Sequence, residues 1–414
     1  MASIADRMMC AYRKEYDKNP VFTLFITILI VFFIVFAAAV LITGGKIFYD
    51  ILNSPDHYVF MDHFSSILYS SDHPYTHHNV VYPPLATVFY AVLGHFIIPF
   101  VDVPAGTDLT SELIRNSQAG MLSLVFMMLI AFYALYILYS KFLKDAEIRK
   151  ELLFLFAVLL AYPFVYAVML GNSIILVLVL CLIFLVGYRS ENRIIRYASY
   201  IALGITAGFK LYTAILGLLI LKDERYREAG ICALIVAAFV FMPFIFTDGS
   251  PIMLFDTIFG YASTKEGVTN FSQMVYNIFG AGLGFSDTAV SVISYAVLSA
   301  FTILSFLVIL FDKEMKMWKV VALIACNLVL GPGLGVAYQA VYMTLPIMYF
   351  LVSEKNMSRE NVFYVICFAM TMVLIPWREI GSIESAFVVI IAVAILYEGL
   401  VRMYRNKRLS TDAV

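Results

Sequence analysis

One polar segment, residues 50–95, carries most of the side chains in this sequence that could take part in chemistry. It holds all six histidines of the 414-residue chain and four aspartates, Asp50, Asp56, Asp62 and Asp72. A carboxylate can accept a proton as a general base, and an imidazole can do the same or bind a metal ion. Because almost everything around this segment is apolar, a reaction centre is expected here.

The histidines do not form a recognised metal-binding pattern. His73, His77 and His78 could converge with Asp72, but the spacing His73-x3-His77-His78 fits no established zinc signature. We interpret the histidines as the polar content of a wet loop. Neither a metal ion nor another cofactor is therefore expected.

The composition is that of a membrane protein. Hydrophobic residues make up 62% of the chain and charged residues 14%, and the mean hydropathy is +0.89. Repeated long apolar runs predict an all-α, polytopic transmembrane helix bundle that forms a single domain over residues 1–414. With 28 basic and 29 acidic residues and no basic patch, nucleic-acid binding is not expected.

Basic residues recur in seven short clusters, which predict the cytoplasmic side of the membrane. The clusters lie at residues 7–18, 141–150, 189–196, 222–227, 313–319, 355–359 and 402–408. If all seven face inward, residues 44–81 form the first extracytoplasmic loop and contain the carboxylates. We expect a multi-pass protein of the plasma membrane.

Several apolar segments are interrupted. Residues 151–188 predict two spans with an outer turn supplied by Tyr162-Pro163 and Gly171-Asn172. Residues 197–221 have basic flanks at both ends and predict two half-helices that meet near Lys210, whereas residues 82–101 either cross the membrane or dip in and return. The pattern predicts roughly ten to twelve spans, with re-entrant or interrupted helices of the kind that border binding sites.

Lys210 lies near the middle of an apolar run. A charge there costs on the order of 3 kcal/mol by insertion scales, so a lysine in this position is usually paired or functional. We expect a phosphate or carboxylate partner. The alternative is a side chain that extends to the membrane interface.

The order of motifs in the polar segment resembles the first outer loop of the GT-C type mannosyltransferases. These motifs are Asp56 shortly before Val59-Phe60, then Pro74-Tyr75, then Tyr82-Pro83-Pro84-Leu85. The loop is similar both to that of the bacterial polyprenol-phosphate-mannose-dependent enzymes and to that of GPI mannosyltransferase I. In that family a loop aspartate is the proposed catalytic base; Asp56 matches it by position, and Asp62 matches a second acidic position.

The resemblance continues further along the chain in shorter stretches. Gly171-Asn172 resembles a family turn without its glutamine, and residues 208–212 resemble a Lys-Leu-Tyr-Pro stretch with Thr213 in place of proline. Asn270-x-Ser272 and Gly331-Pro332 also have counterparts. Family members often carry histidine after the Gly-Pro turn, where this chain has Tyr338 and Gln339.

The resemblance implies an integral-membrane glycosyltransferase. It would move a hexose, mannose by resemblance, from a polyprenyl-phosphate donor to a lipid-linked or surface glycan acceptor on the extracytoplasmic side. Asp56 or Asp62 would take the proton of the acceptor hydroxyl, and Lys210 or Arg378 would hold the departing phosphate. The residues expected to bind substrate are Lys210, Tyr82, Tyr75, Asn172, Asn270, Tyr338, Gln339 and Arg378.

Two alternatives remain open at this stage. A transporter or flippase of a lipid-linked or polar substrate would equally use interrupted helices and an intramembrane lysine. A glycan polymerase or ligase would instead use a lipid diphosphate donor. The outer-loop position of the carboxylates favours the transferase. The aromatic residues of the outer loops could stack on sugars or form an interfacial belt.

Overall fold

A computed structural model describes residues 18–47, 59–142, 148–262, 275, 282–331, 337–373 and 383–411. Within these ranges the chain is helical and contains no strand, which confirms the all-α prediction. The α-helices are α1 Pro20–Ile42, α2 Met61–Ser70, α3 Pro84–Ile97, α4 Ser111–Asn116, α5 Gln118–Phe142, α6 Ile148–Leu159, α7 Tyr162–Leu170, α8 Ile174–Gly187, α9 Arg193–Phe209, α10 Leu218–Lys222, α11 Tyr226–Phe241, α12 Pro251–Ala262, α13 Asp287–Phe311, α14 Met317–Leu330, α15 Thr344–Ser353, α16 Arg359–Met370 and α17 Ile383–Thr411. Short 3₁₀ helices cover Ile98–Phe100, Leu211–Gly217, Met242–Phe246 and Ala337–Met343.

Five helices in the described ranges are long and apolar enough to cross a membrane. They are Pro20–Ile42, Gln118–Phe142, Tyr226–Phe246, Thr288–Phe311 and Ser385–Asn406. The pair α6 and α7 is bent by 60° and counts as a sixth span if it is one bent helix, and four shorter apolar helices accompany these spans. The described residues thus hold full-length spans together with short and bent apolar helices, which agrees with the predicted polytopic bundle of complete and interrupted spans.

The two buried helices at the centre of the bundle are α8 and α14. Helix α8 is apolar on every side, and α14, whose polar side chains are Lys319 and Asn327, is buried along almost its whole length. A helix that is hydrophobic all round is stable only when other helices cover it. These two helices form the scaffold around which the interrupted segments are arranged.

Ion pairs place five of the seven basic clusters at one end of the bundle. Arg189 pairs with Asp223 at 2.5 Å, and Lys222 donates to the carbonyl of Asp312, whose carboxylate pairs with Arg402 at 3.0 Å. Lys319 pairs with Glu360 and Glu398 nearby. These contacts agree with the prediction that the clusters share one side of the membrane. We refer to this side as the basic end.

The chain is interrupted at Lys210, as the sequence predicts. Helix α9 ends at Phe209, Lys210 itself is extended with φ −142° and ψ 94°, and a 3₁₀ helix follows. Because the Arg189–Asp223 pair joins the two ends of this segment, the chain enters and leaves at the basic end. Seventeen helical residues at about 1.5 Å each place Lys210 roughly 25 Å from that end.

The bend between α6 and α7 lies at Leu160 and Ala161, directly before Tyr162-Pro163. The backbone amide of Tyr162 donates to the carbonyl of Met372 at 3.1 Å, so a neighbouring segment satisfies a group that the bend frees. The reversal of the chain comes later, at Gly171-Asn172 between α7 and α8. Of the two predicted turn elements, the first is therefore a bend and the second is the turn.

Helix α3 and its 3₁₀ extension are too short to span a membrane. After them the chain returns to α4, which packs on α2 through a hydrogen bond of 3.2 Å between Ser65 and Ser111. The short helix and the return to α2 favour the second alternative for residues 82–101, a segment that dips in and returns.

Gly171 offers a test of the turn between α7 and α8. Its φ is +68°, and an added Cβ would lie 3.0 Å from the carbonyl oxygen of Phe60 and 3.1 Å from the Cβ of His63. We expect Gly171→Ala to lower the free energy of unfolding by about 1–2 kcal/mol, because the left-handed conformation disfavours a side chain. Thermal unfolding of the purified protein in detergent measures this change.

Gly230→Ala is the matched control, because Gly230 lies in α11 with open space around it and an ordinary helical conformation. This variant should keep or slightly raise the melting temperature. Equal melting temperatures for the two variants would show that the turn at Gly171 tolerates a side chain.

Candidate active site

The carboxylate of Asp62 is held by a hydrogen bond from Asn172. Asp62 lies in the first turn of α2, and Asn172 follows the left-handed Gly171 in the turn between α7 and α8. The Nδ2 atom of Asn172 donates to Oδ2 of Asp62 at 2.6 Å, while its Oδ1 accepts the backbone amide of Ile174 at 2.9 Å. Both ends of the Asn172 amide are thus engaged, and the side chain is buried, so the carboxylate has a fixed orientation.

Helix α2 is fixed at its beginning by two other contacts. The backbone amide of Phe60, which has φ +62°, donates to the carbonyl of Met169 in α7 at 2.6 Å. Nε2 of His63 lies 2.9 Å from the hydroxyl of Ser123 in α5. Burial lowers the pKa of His63 to about 4, so the ring is neutral at physiological pH. The interpretation of this histidine as wet loop content was wrong, because His63 is fully buried.

Lys210 reaches the same region from the break after α9. Its backbone amide donates to the carbonyl of Thr206 at 2.7 Å, and its own carbonyl accepts the hydroxyl of Thr213 at 2.8 Å. The side chain is only 8% exposed. Its Nζ lies 4.5 Å from the ring centroid of Tyr82 and 5.9 Å from that of Tyr338. Lys210 is therefore held over aromatic faces and does not extend to an interface.

Asp62 and Lys210 attract each other without direct contact. Within the part of the chain that the structure describes, Lys210 forms no ion pair within 4 Å. Burial raises the pKa of Asp62, whereas the Asn172 hydrogen bond and the charge of Lys210 act in the opposite direction. The two charged groups therefore interact electrostatically across more than the 4 Å of an ion pair, with Asn172 on the carboxylate and tyrosine rings at the ammonium group.

Tyrosine rings line the space around these two groups. The hydroxyl of Tyr82 is hydrogen-bonded to Ser66 on α2, and the ring of Tyr338 is stacked on that of Tyr166 with a centroid distance of 6.3 Å. Tyr166 belongs to α7, and the negative charge of Asp62 acts on it. Because rings of this kind can stack on the faces of sugars, the arrangement is suited to a glycosylated substrate.

More than half of the chain matches the model of one protein family. The model described as glycosyltransferase family 87 matches residues 80–337, which is more than half of the chain. The chain belongs to glycosyltransferase family 87. Together with the membrane-spanning helices, this makes the protein an integral-membrane glycosyltransferase. No curated protein and no solved structure shows a significant match to it.

The family 87 match covers some of the site and not the rest. Tyr82, Asn172 and Lys210 lie inside the matched range, whereas Asp62 precedes it and Tyr338 follows directly after its end. The family assignment thus identifies the enzyme class, and the geometry connects the first loop to the matched region. The family assignment also decides between the transferase and the transporter alternatives, in favour of the transferase.

Of the other residues predicted to form the site of this family 87 enzyme, Tyr75 and Gln339 are buried near the tyrosines around Lys210. The hydroxyl of Tyr75 donates to the carbonyl of Tyr82 at 2.7 Å, so this buried side chain supports Tyr82 and does not reach Lys210. Gln339 is buried next to Tyr338 and is hydrogen-bonded to the hydroxyl of Tyr212. Three further predicted site residues, Asp56, Asn270 and Arg378, lie outside the described residues.

A second carboxylate, Asp248, joins two outer loops of the enzyme. It accepts hydrogen bonds from the backbone amides of Tyr75 and Thr76, at 3.2 and 3.0 Å, and from the Thr76 hydroxyl. Burial opposes the ionisation of Asp248, but these hydrogen bonds outweigh it and lower its pKa. His73 lies 3.8 Å away, and its ring contacts that of His77. Among the described side chains, no three His, Cys, Asp or Glu residues are grouped as metal ligands.

The opposite pKa shifts of Asp62 and Asp248 predict opposite effects of mutation on stability. Because the pKa of Asp62 is raised by folding, its contribution to stability is present at low pH and is lost as the pH rises through the raised value. We expect Asp62→Asn to be at least as stable as the wild type near pH 7, and to lose this advantage as the pH falls towards the ordinary value of 3.8.

Asp248→Asn is the matched control with the reverse sign. The lowered pKa of the Asp248 carboxylate stabilises the folded wild type above pH 3.8. This stabilisation disappears as the pH falls through the pKa of Asp248 in the folded protein. This variant should therefore melt below the wild type at neutral pH, with a difference that shrinks in acid. Melting curves of both variants across the same buffers provide the measurement. A destabilised Asp62→Asn at neutral pH would show that its carboxylate is a structural group.

Proposed function

We propose that this family 87 enzyme transfers mannose from a polyprenyl-phosphate donor to a lipid-linked or surface glycan acceptor on the extracytoplasmic side of the plasma membrane. The observation that carries the proposal is the buried pair of opposite charges, the Asp62 carboxylate and the Lys210 ammonium group, which interact without direct contact. Lys210 lies about one helix length from the basic end. The first-loop resemblance supports mannose and the phosphate-linked donor.

The chemistry requires one base and one cation. The Asp62 carboxylate removes the proton of an acceptor hydroxyl as the oxygen attacks the anomeric carbon of the donor sugar. The bond from that carbon to the phosphate oxygen breaks, and its electron pair leaves with the polyprenyl phosphate. Lys210 stabilises the negative charge of this leaving group. The proton then resides on Asp62, whose raised pKa favours its retention until solvent removes it.

The neighbouring residues position these two groups and the sugar. Asn172 orients the carboxylate through its hydrogen bond to Oδ2. Tyr82 and Tyr338 hold Lys210 and offer faces on which a hexose could stack, and Tyr75 supports Tyr82. Gln339 remains a candidate contact to the substrate beside Tyr338. Arg378 and Asn270 remain candidate contacts to the donor. Asp56, six residues before Asp62, remains the alternative base.

The assignment of the base is tested with purified protein in lipid bilayers and polyprenyl-phosphate mannose as the donor. Asp62→Asn should reduce transfer by about 10²–10⁴-fold, the usual contribution of a general base. Asp72→Asn is the control, because Asp72 belongs to the same loop but its side chain is 71% exposed. If Asp56→Asn abolishes transfer while Asp62→Asn retains it, then Asp56 is the base.

The role of Lys210 is tested separately with two substitutions. Lys210→Met keeps the length of the apolar stem but removes the charge, and should lower kcat/KM for the donor by about 10²-fold or more. Lys210→Arg retains the charge and should recover part of the activity, because Arg can also bind phosphate. The control is Lys222→Met at the basic end, where the ammonium group donates to the backbone carbonyls of Ile309 and Asp312 at the end of α13. Equal losses in Lys210→Met and Lys222→Met would assign Lys210 a purely structural role.

A further inference from the structure

An apolar groove opens to the membrane between α1 and the bend of α6 and α7. It has a volume of about 200 Å³, and its lining is apolar except for the hydroxyl of Tyr162. We define the apolar groove by six of its lining residues, Phe32, Phe33, Phe156, Leu160, Tyr162 and Val165. Phe33 and Phe156, on opposite walls, are 41% and 60% exposed, so the groove can be reached from the lipid.

A row of stacked tyrosines connects this groove to Lys210. The ring of Tyr162, in the groove, lies 5.6 Å from that of Tyr166 at an interplanar angle of 26°. Tyr166 is stacked on Tyr338 at 6.3 Å, and Tyr338 lies 5.9 Å from Nζ of Lys210. The three tyrosines therefore form one row of adjacent side chains from the groove to the charged site.

The surface of α7 gives the same connection independently of the ring contacts. Tyr162, Val165, Tyr166 and Met169 are all partly exposed. Because they are spaced by three and four residues, they form one face of the helix. This face begins in the groove and ends at Met169, whose carbonyl accepts the amide of Phe60 just before Asp62.

We propose that the apolar groove holds the isoprenoid chain of the sugar donor while its phosphate group is bound at Lys210. This inference rests on the proposed function and identifies where the lipid part of that substrate lies. The chain would leave the phosphate past Tyr338 and Tyr166 and enter the groove at Tyr162. An apolar chain gains free energy from a groove lined by aromatic and aliphatic side chains in proportion to the contacts made, and the lateral opening lets a long chain continue into the bilayer.

The location is tested first by photolabelling of the wild-type protein in phosphatidylcholine nanodiscs. The probe is a polyprenyl phosphate that carries a diazirine on an isoprene unit distant from the phosphate. Mass spectrometry should find the label on the α1 and α6 residues of the groove. Unlabelled polyprenyl phosphate should reduce this labelling, whereas the same concentration of phosphatidic acid should not. Label confined to other helices, or equal displacement by phosphatidic acid, would overturn the proposal.

Transfer assays with donors of different length provide the second test. Leu160→Trp fills the groove, and Leu129→Trp adds the same side chain on the lipid-facing surface of α5, where Leu129 is 61% exposed. Leu160→Trp should raise KM for a long-chain donor by about tenfold and leave a donor with one short prenyl unit unaffected. Leu129→Trp should leave KM unchanged for both the long-chain and the short-chain donor. Equal losses with both donors in Leu160→Trp would contradict the assignment.

The two tests separate the groove from the proposed function. If the wild type transfers mannose from no polyprenyl-phosphate donor while the photoprobe still labels the groove, the proposed function fails and lipid binding stands. If transfer is efficient and the label lies elsewhere, the enzyme assignment stands and the groove proposal fails. Melting temperatures of the Leu160→Trp and Leu129→Trp variants show whether each is folded.

Discussion

The hydrogen bond from Asn172 to Asp62 connects the two halves of the candidate site. Asp62 belongs to α2, which is too short to cross a membrane, and Asn172 belongs to a turn between helices that lie in the bundle. The turn can present the amide in this direction because Gly171 adopts a left-handed conformation with no side chain to meet Phe60. The position of the carboxylate, and through it the geometry of the site, therefore depends on one turn.

The membrane imposes a second constraint, which explains where the helices are interrupted. Backbone groups in hydrocarbon must find partners inside the protein, so a helix can break only where its neighbours supply them. At the bend before α7 the partner is the carbonyl of Met372, and at the break after α9 the partners are Thr206 and Thr213. The bend before α7 borders the apolar groove, and the break after α9 carries Lys210. The two interruptions thus lie at the two ends of the row of tyrosines.

Much of this arrangement could be predicted from the sequence, because its signals are local. Basic flanks on both sides of an apolar run indicated the break at Lys210, and Gly171-Asn172 indicated a turn. Lys210 was expected to face a phosphate or a carboxylate because of the cost of a charge in hydrocarbon. The histidines were harder to interpret, since nothing local distinguishes the buried His63 from the exposed His73. The apolar runs also indicated interrupted spans, but they did not reveal which individual helices are short or bent.

The sequence by itself determined that this is a helical membrane protein, and it predicted the candidate carboxylates in the first loop. Apolar content and the placement of charges are sufficient for that conclusion. The tertiary structure decided which groups share a site, because Asp62 and Asn172 are 110 residues apart and Tyr166 carries no local signal at all. The shift in the pKa of Asp62 was also decided there, since burial, an amide donor and a distant cation all come from folding.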